Sequence, residues 1–268
     1  MSRILLAGVV LVHFILFTPA AVLGKEESPV QHWADEAVEI HRLVEKGELE
    51  RAKGKLENLA DRFSNGDFSR IRLSVEGMEA LSDTLVELDR ELVRVMPRPD
   101  RLLVASKRMM LAFDALAHPR QPLWHQYESV WKDDVTSVKQ RMKKNRPETV
   151  RSAVGTLVRH YRTVEPALYV SRNPETVGAV STLVHSLERQ AGRKPMKPAL
   201  LTSTLKQWER MIRPLIDGKE QDVLALAHTG MPAWPKAALT LGGIIACALT
   251  YVSWQKYRQS RVFVHRRS

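Results

Sequence analysis

The 268-residue chain has a single cysteine, Cys247, in an uncharged run near its C-terminus. An internal disulfide is therefore excluded, and with it a small disulfide scaffold or a cysteine metal cluster. No segment alternates apolar and polar residues for long enough to read as a strand. HExxH, a Gly-rich phosphate loop, a GxSxG elbow and SxxK are all missing. The 13 glycines fall mostly where helices would stop. Negative charge is confined to the middle of the chain: all 30 Asp and Glu lie within residues 25–235.

What is present at the C-terminus is a long greasy run. Ala237 to Trp254 holds 18 residues without Asp, Glu, Lys or Arg. As a helix it would span about 27 Å, close to the apolar thickness of a bilayer. Trp234, Tyr251, Trp254 and Tyr257 flank it, where amphipathic rings favour the headgroup level and would anchor the span. Lys256, Arg258, Arg261, Arg266 and Arg267 follow without one acid. Basic residues so near a span stay on the cytoplasmic side. A transmembrane helix over 237–254 and a cytoplasmic basic tail over 255–268 are expected.

The N-terminus agrees. Arg3, the apolar stretch Ile4 to Phe17 and the Thr18-Pro19 break have the grammar of a signal peptide over residues 1–24, with cleavage after Ala20 or Gly24. An uncleaved anchor is the alternative, and it leaves the same topology. Either way residues 25–232 are expected to form the extracytoplasmic part of a membrane protein. The net charge of +11 then partitions. Residues 25–235 carry 34 Lys and Arg against 30 acids, and the other +7 is topology signal. A nucleic-acid partner is not indicated.

The outer part reads as all-α, a stack of about eight helices by the start and stop signals. "SPVQHWADEAVEIHRLVEKG" offers Ser28 as N-cap, Pro29 at the first position and Gly47 as stop, with Val30, Trp33, Ala37, Ile40 and Val44 on one face. Glu48 to Phe63 repeats the pattern. From Phe68 to Met96, residues Ile71, Ser74, Met78, Leu81, Leu85, Leu88, Leu92 and Val95 form a heptad seam ending before Pro97. Helices follow over Arg101–Ala117 and Leu123–Lys144, then two that open with Pro-Glu-Thr, then Leu200–Ile216 and Asp222–His228. The first two, with Gly47 between them and Ala34, Ala37 and Ala52 at close-approach positions, resemble one tetratricopeptide-like hairpin.

Few residues suggest chemistry. His32 and Glu36 are an i,i+4 pair near Asp35 and Glu39, but acids near a helix start are explained by the dipole. His41 with Glu45, and His125 with Glu128, read as exposed pairs. Trp124, Tyr127 and Trp131, in line with Val135, Val138 and Met142, read as core rather than as a sugar platform. No catalytic residue, metal site or cofactor is expected. The densest charge run is "KQRMKKNRPETVR", in which Lys139, Arg141, Lys143, Lys144 and Arg146 are candidate contacts for an anionic wall polymer or lipid headgroups.

The segment "HWADEAVEIHRLVEKGELERAKGKLENLADRF", the membrane exit "YVSWQKYR" and the order of export signal, helical body, single span and basic tail together resemble the YpjB family of sporulation proteins from endospore-forming bacilli. The resemblance covers essentially the whole chain and implies a role in spore formation at the membrane. It carries over no active-site residue. The expected activity is non-enzymatic binding of a protein partner at the membrane surface. A cell-envelope enzyme or activator, and a sensor of a wall-derived ligand, are the rival classes.

Overall fold

A computed structural model describes residues 29–69, 71–144 and 146–229, and the side chains to residue 227. The segment expected to be an export signal, Ser28, the uncharged run with Trp234, Tyr251, Trp254 and Tyr257, and the basic tail lie outside the described residues. Among those described there are nine α-helices, one 3-10 turn and no strand. None of these helices is long and apolar enough to cross a membrane.

The first helical hairpin forms as read. Helix α1 is Pro29–Glu45 and α2 is Leu49–Ser64. Gly47 turns the chain between them at φ 75°, a conformation that glycine adopts without steric cost. Helix α3, Val75–Leu92, is shorter than its heptad pattern. Ser74 caps it, its Oγ accepting from Gly77 N at 3.0 Å. At the other end Pro97 biases Met96 away from helical backbone. Val95, placed in the seam by periodicity, is instead 98% exposed. Helix α4 is Pro99–Ala117, starting on its own proline.

A 3-10 turn, Leu123–Gln126, leads into α5, Tyr127–Lys143, so the single helix expected from Leu123 is divided. The two Pro-Glu-Thr starts open α6, Pro147–Ser171, and α7, Pro174–Gly192. Asn173 caps α7 by accepting from Glu175 N. Helix α8 is Pro198–Ile216 and α9 is Glu220–Thr229.

Two hydrophobic cores share α4. Trp33, Ile40, Leu59, Phe63, Leu81, Leu88, Met109 and Phe113 belong to the first, between α1, α2, α3 and one face of α4. Leu111 and Ala115, from the other face, join Trp124, Trp131, Leu157, Tyr161, Leu187 and Trp208 in the second. The aromatic stripe is thus core, with Trp124 and Trp131 fully buried. Helices α3 and α6 approach closely at Gly77, where a Cβ would lie 2.9 Å from the Tyr169 carbonyl oxygen and 2.6 Å from Leu73.

The direction of each helix in the second unit, α5 to α9 around the second core, follows from its cross-contacts. His160 Nδ1 meets Asp134 at 2.7 Å, and Trp124 Nε1 donates to Ser171 Oγ at 3.1 Å, so α5 and α6 are antiparallel. Arg151 Nε donates to Ala191 O at 3.4 Å and Tyr161 meets Ser181 at 2.7 Å, so α6 and α7 are antiparallel too. Gln190 to Thr204, 3.0 Å, pairs the end of α7 with the start of α8. Consequently the α5–α6 and α7–α8 turns lie at one end of the unit. The α6–α7 and α8–α9 turns lie at the other.

Candidate functional site

The polar residues that sequence singles out are mostly engaged in the fold. Glu36 pairs with Arg62 at 3.0 Å and Glu39 with Lys55 at 2.9 Å, while Asp35 accepts from Gln31. His41 is not the exposed partner of Glu45 that its spacing suggests. Its side chain is 12% exposed, its Nδ1 lies 2.8 Å from Ser106 Oγ on α4, and Glu45 is 3.5 Å from Nε2. His125 makes no direct bond to Glu128. Half-buried His125 lies 3.4 Å from the Arg172 guanidinium, and Glu128 instead bonds Lys132 and Arg213.

Burial, outweighing the pull of Glu45, lowers the His41 pKa below its ordinary 6.5. The folded state therefore binds fewer protons than the unfolded one between that lowered value and 6.5. The stability that neutral His41 contributes is complete above pH 6.5 and is lost as pH falls toward the lowered value. We expect Tm to fall between pH 7 and pH 5, and His41→Gln to flatten part of that slope. A Tm profile identical in the variant would refute the assignment. His125, lowered by burial and then by Arg172, adds in the same direction.

One open cleft of about 280 Å³ lies between α3 and α6, lined by Glu76, Glu79, Ala80, Asp83 and Tyr169. Its carboxylates share a face of α3 by their spacing of three and four. Burial first, and then neighbouring Glu165, push the Tyr169 phenol up, with Glu76 and Glu79 adding to it. A phenol so held is protonated at neutral pH and is no base. The buried acids elsewhere are structural. Asp114 accepts from Leu123 N at 2.5 Å and meets His118 at 2.8 Å, tying the end of α4 to the next turn.

Two surface features stand out by chemistry. Nine large apolar side chains are exposed among the described residues, and seven of them, Val75, Val86, Val93, Val95, Met96, Leu103 and Val104, fall on the α3–α4 hairpin. Val95 and Met96, at 98% and 83% exposure, form its tip beside Arg94 and Arg98. Periodicity assigned Val95 to the seam; the Pro97 and Pro99 pair was the signal that helix α3 had already ended.

The second feature is basic. Of the run read from sequence, Lys139 is neutralised across the helix interface by Glu209 at 2.7 Å, and Arg141 Nε donates to Ser137. Lys143, Lys144 and Arg146 are exposed at the α5–α6 turn. The α7–α8 turn, "GRKPMKP", brings Arg193, Lys194 and Lys197 to the same end of the unit. That second basic turn is visible as a charge cluster in the sequence, but its proximity to the first comes only from the antiparallel packing of α6 and α7.

The family model described as sporulation protein YpjB (SpoYpjB) matches residues 30–264, from α1 to within the basic tail. A protein of Bacillus subtilis (strain 168) called "Uncharacterized protein YpjB" is 19% identical over 251 residues, covering 92% of each chain. No solved structure matches.

Proposed function

The chain belongs to the sporulation protein YpjB family, and from that premise we propose that it is a single-pass membrane protein of spore formation whose helical outer domain binds another protein and performs no catalysis. The observation that carries the reading is the α3–α4 tip. Val93, Val95 and Met96 stand in water at the tip of a hairpin whose inner faces pack into the first core, with Arg94 and Arg98 beside them. Contiguous exposed apolar side chains rimmed by charge are the signature of a contact surface. An acidic-rimmed apolar groove on a partner protein complements both halves of the feature. Tethering by residues 237–254 confines the domain to the membrane face and raises its effective concentration for a partner there.

The uncharged C-terminal run and its five basic followers support the anchor, and Arg3 with the apolar stretch behind it supports export. Asp114, Asp134 and His41, buried or half-buried titratable groups of the kind a catalytic set uses, are engaged in intramolecular bonds.

The test is genetic and direct. Deletion of the gene should lower the yield of heat-resistant spores and leave vegetative growth normal. Val95→Asp with Met96→Asp, both fully accessible, should leave the helical spectrum and abundance unchanged and reproduce the deletion. A photo-crosslinker at position 95 should capture a protein during sporulation that the double variant does not. Normal sporulation in the double variant, or loss of sporulation from a single change at His32, Glu36, His125 or Asp134 in a folded and abundant chain, would remove the binding reading in favour of an enzyme.

A further inference from the structure

The two basic turns of the second unit define one face. Lys143, Lys144, Arg146, Arg193, Lys194 and Lys197 are all exposed, and none forms an ion pair among the described residues. Glu148, the one acid beside them, is occupied by Arg151 at 2.7 Å. The opposite end of the same unit carries Glu128, Glu175, Asp217, Glu220 and Asp222 against Lys132, Arg172, Arg213 and Lys219, a slight acidic excess. The unit is therefore polar in charge along its helix axes.

The chain leaves this unit toward the basic end. Helix α9 starts at the acidic end, where Glu220 accepts from Asn173 N at 2.9 Å. It then runs back along α8, so that Gln207 Nε2 donates to Leu226 O at 2.6 Å. Gln207 lies nine positions into α8 from Pro198, so about 13 Å of helix separates that level from the basic turns. Residues 230–236, which lead to the uncharged run, reach up to about 23 Å when extended. Helix α9 points toward the basic end, and a tether of that length spans the remaining distance to it.

We propose that this basic end, assembled from the α5–α6 and α7–α8 turns, docks on anionic phospholipid headgroups of the membrane that anchors the chain. The proposal rests on the anchoring described above and adds an orientation to it. Six unpaired cations on two neighbouring turns suit a surface of distributed negative charge, whereas a single ligand would need convergent and buried donors. Docking points the second unit's axes toward the bilayer and leaves the acidic end outward.

Full-length chain with Cys247→Ser, bearing one fluorophore on Ser152→Cys near the basic end or on Glu175→Cys at the acidic end, tests this. It is reconstituted into phosphatidylcholine vesicles with or without phosphatidylglycerol, each containing a lipid with a nitroxide on its headgroup. The label at 152 should be quenched in anionic vesicles only, and the label at 175 in neither. Raising salt from about 0.1 to 1 M, which shortens screening from roughly 10 to 3 Å, should abolish the difference. Lys143→Gln, Lys144→Gln and Arg146→Gln together should shift the docked-to-free ratio on the order of a hundredfold, and the same changes at 193, 194 and 197 likewise. The variants' circular dichroism should match the parent's.

If the chain floats with vesicles but both labels respond alike, or neither responds to phosphatidylglycerol, the docking is wrong and the anchor stands. A chain that does not float with vesicles overturns anchor and docking together. Binding of soluble polyglycerol phosphate in neutral vesicles, lost in the Gln variants and without any response to phosphatidylglycerol, would assign the face to a wall polymer instead.

Discussion

Trp208→Ala should lower stability by about 3–5 kcal/mol, the range for removing a fully buried large aromatic. Trp208 is 0% exposed on α8 and sits at the centre of the second core. Its ring meets Trp131 of α5 edge-on at 5.4 Å and Tyr161 of α6 edge-on at 5.8 Å, so one side chain joins three helices. Truncation leaves a void bounded by two rings that are themselves fixed by burial and cannot collapse inward. The indole also carries a cost, since Trp208 Nε1 has no hydrogen-bond partner among the described residues. Trp208→Phe removes that unpaired donor, whose burial opposes folding by about 1–3 kcal/mol, while keeping an aromatic edge in place. The Phe variant should therefore lose much less than the Ala variant in urea unfolding. Equal losses would mean that indole volume alone sets the stability of this core.

How far the sequence reveals the fold depends on the range over which each signal acts. Gly47, the Pro-Glu-Thr starts at 147 and 174, and the spacing of Trp124, Tyr127 and Trp131 act within a few residues, and all appear in the structure as read. The heptad from Ile71 to Val95 failed at both ends for an equally local reason. Apolar spacing was continued past Ser74, which is a cap, and toward Pro97, which excludes helix behind it. Periodicity states which face a residue would occupy if helical, and it does not state that the backbone is helical. The α3–α4 tip was missed in consequence.

Pairings between distant segments were not legible at all. His41 has its partner, Ser106, 65 positions away, and Lys139 has Glu209 70 positions away. Nothing local distinguishes Lys139 from Lys143, yet one is neutralised and the other exposed. The candidate basic surface therefore changed composition on folding. It lost Lys139 to an interhelical ion pair and gained Arg193, Lys194 and Lys197 from a turn that the packing of α6 on α7 places beside it.

Arg172 shows the same point with the largest energetic consequence for a surface-coded residue type, and Arg172→Ala should cost about 3 kcal/mol by the worth of charged hydrogen bonds and a cation–π contact. Its sequence setting, between the end of α6 and the Asn173 cap, marks only a turn. In the fold its guanidinium lies beneath the C-terminus of α8. There Nε donates to Leu215 O at 2.9 Å and Nη2 to Ile216 O at 3.0 Å. These carbonyls belong to the last turn of a helix, where intrahelical donors run out and the negative end of the dipole lies. Leu215 O otherwise takes a 3.4 Å bond from Gly218 N. The same guanidinium stacks 4.8 Å over the Trp124 ring, and Nη1 returns to Ser171 O. One side chain thus closes α8, seats the 3-10 turn before α5 and fixes the end of α6. Arg172→Lys keeps the charge but has a single nitrogen and no planar face, so it cannot bond two carbonyls and stack at once. It should recover well under half of the loss. Hydrogen exchange should then show the last turn of α8 and the 3-10 turn opening in both variants, with α1 and α2 protected as in the parent. Full recovery by lysine would reduce Arg172 to a point charge at a helix end.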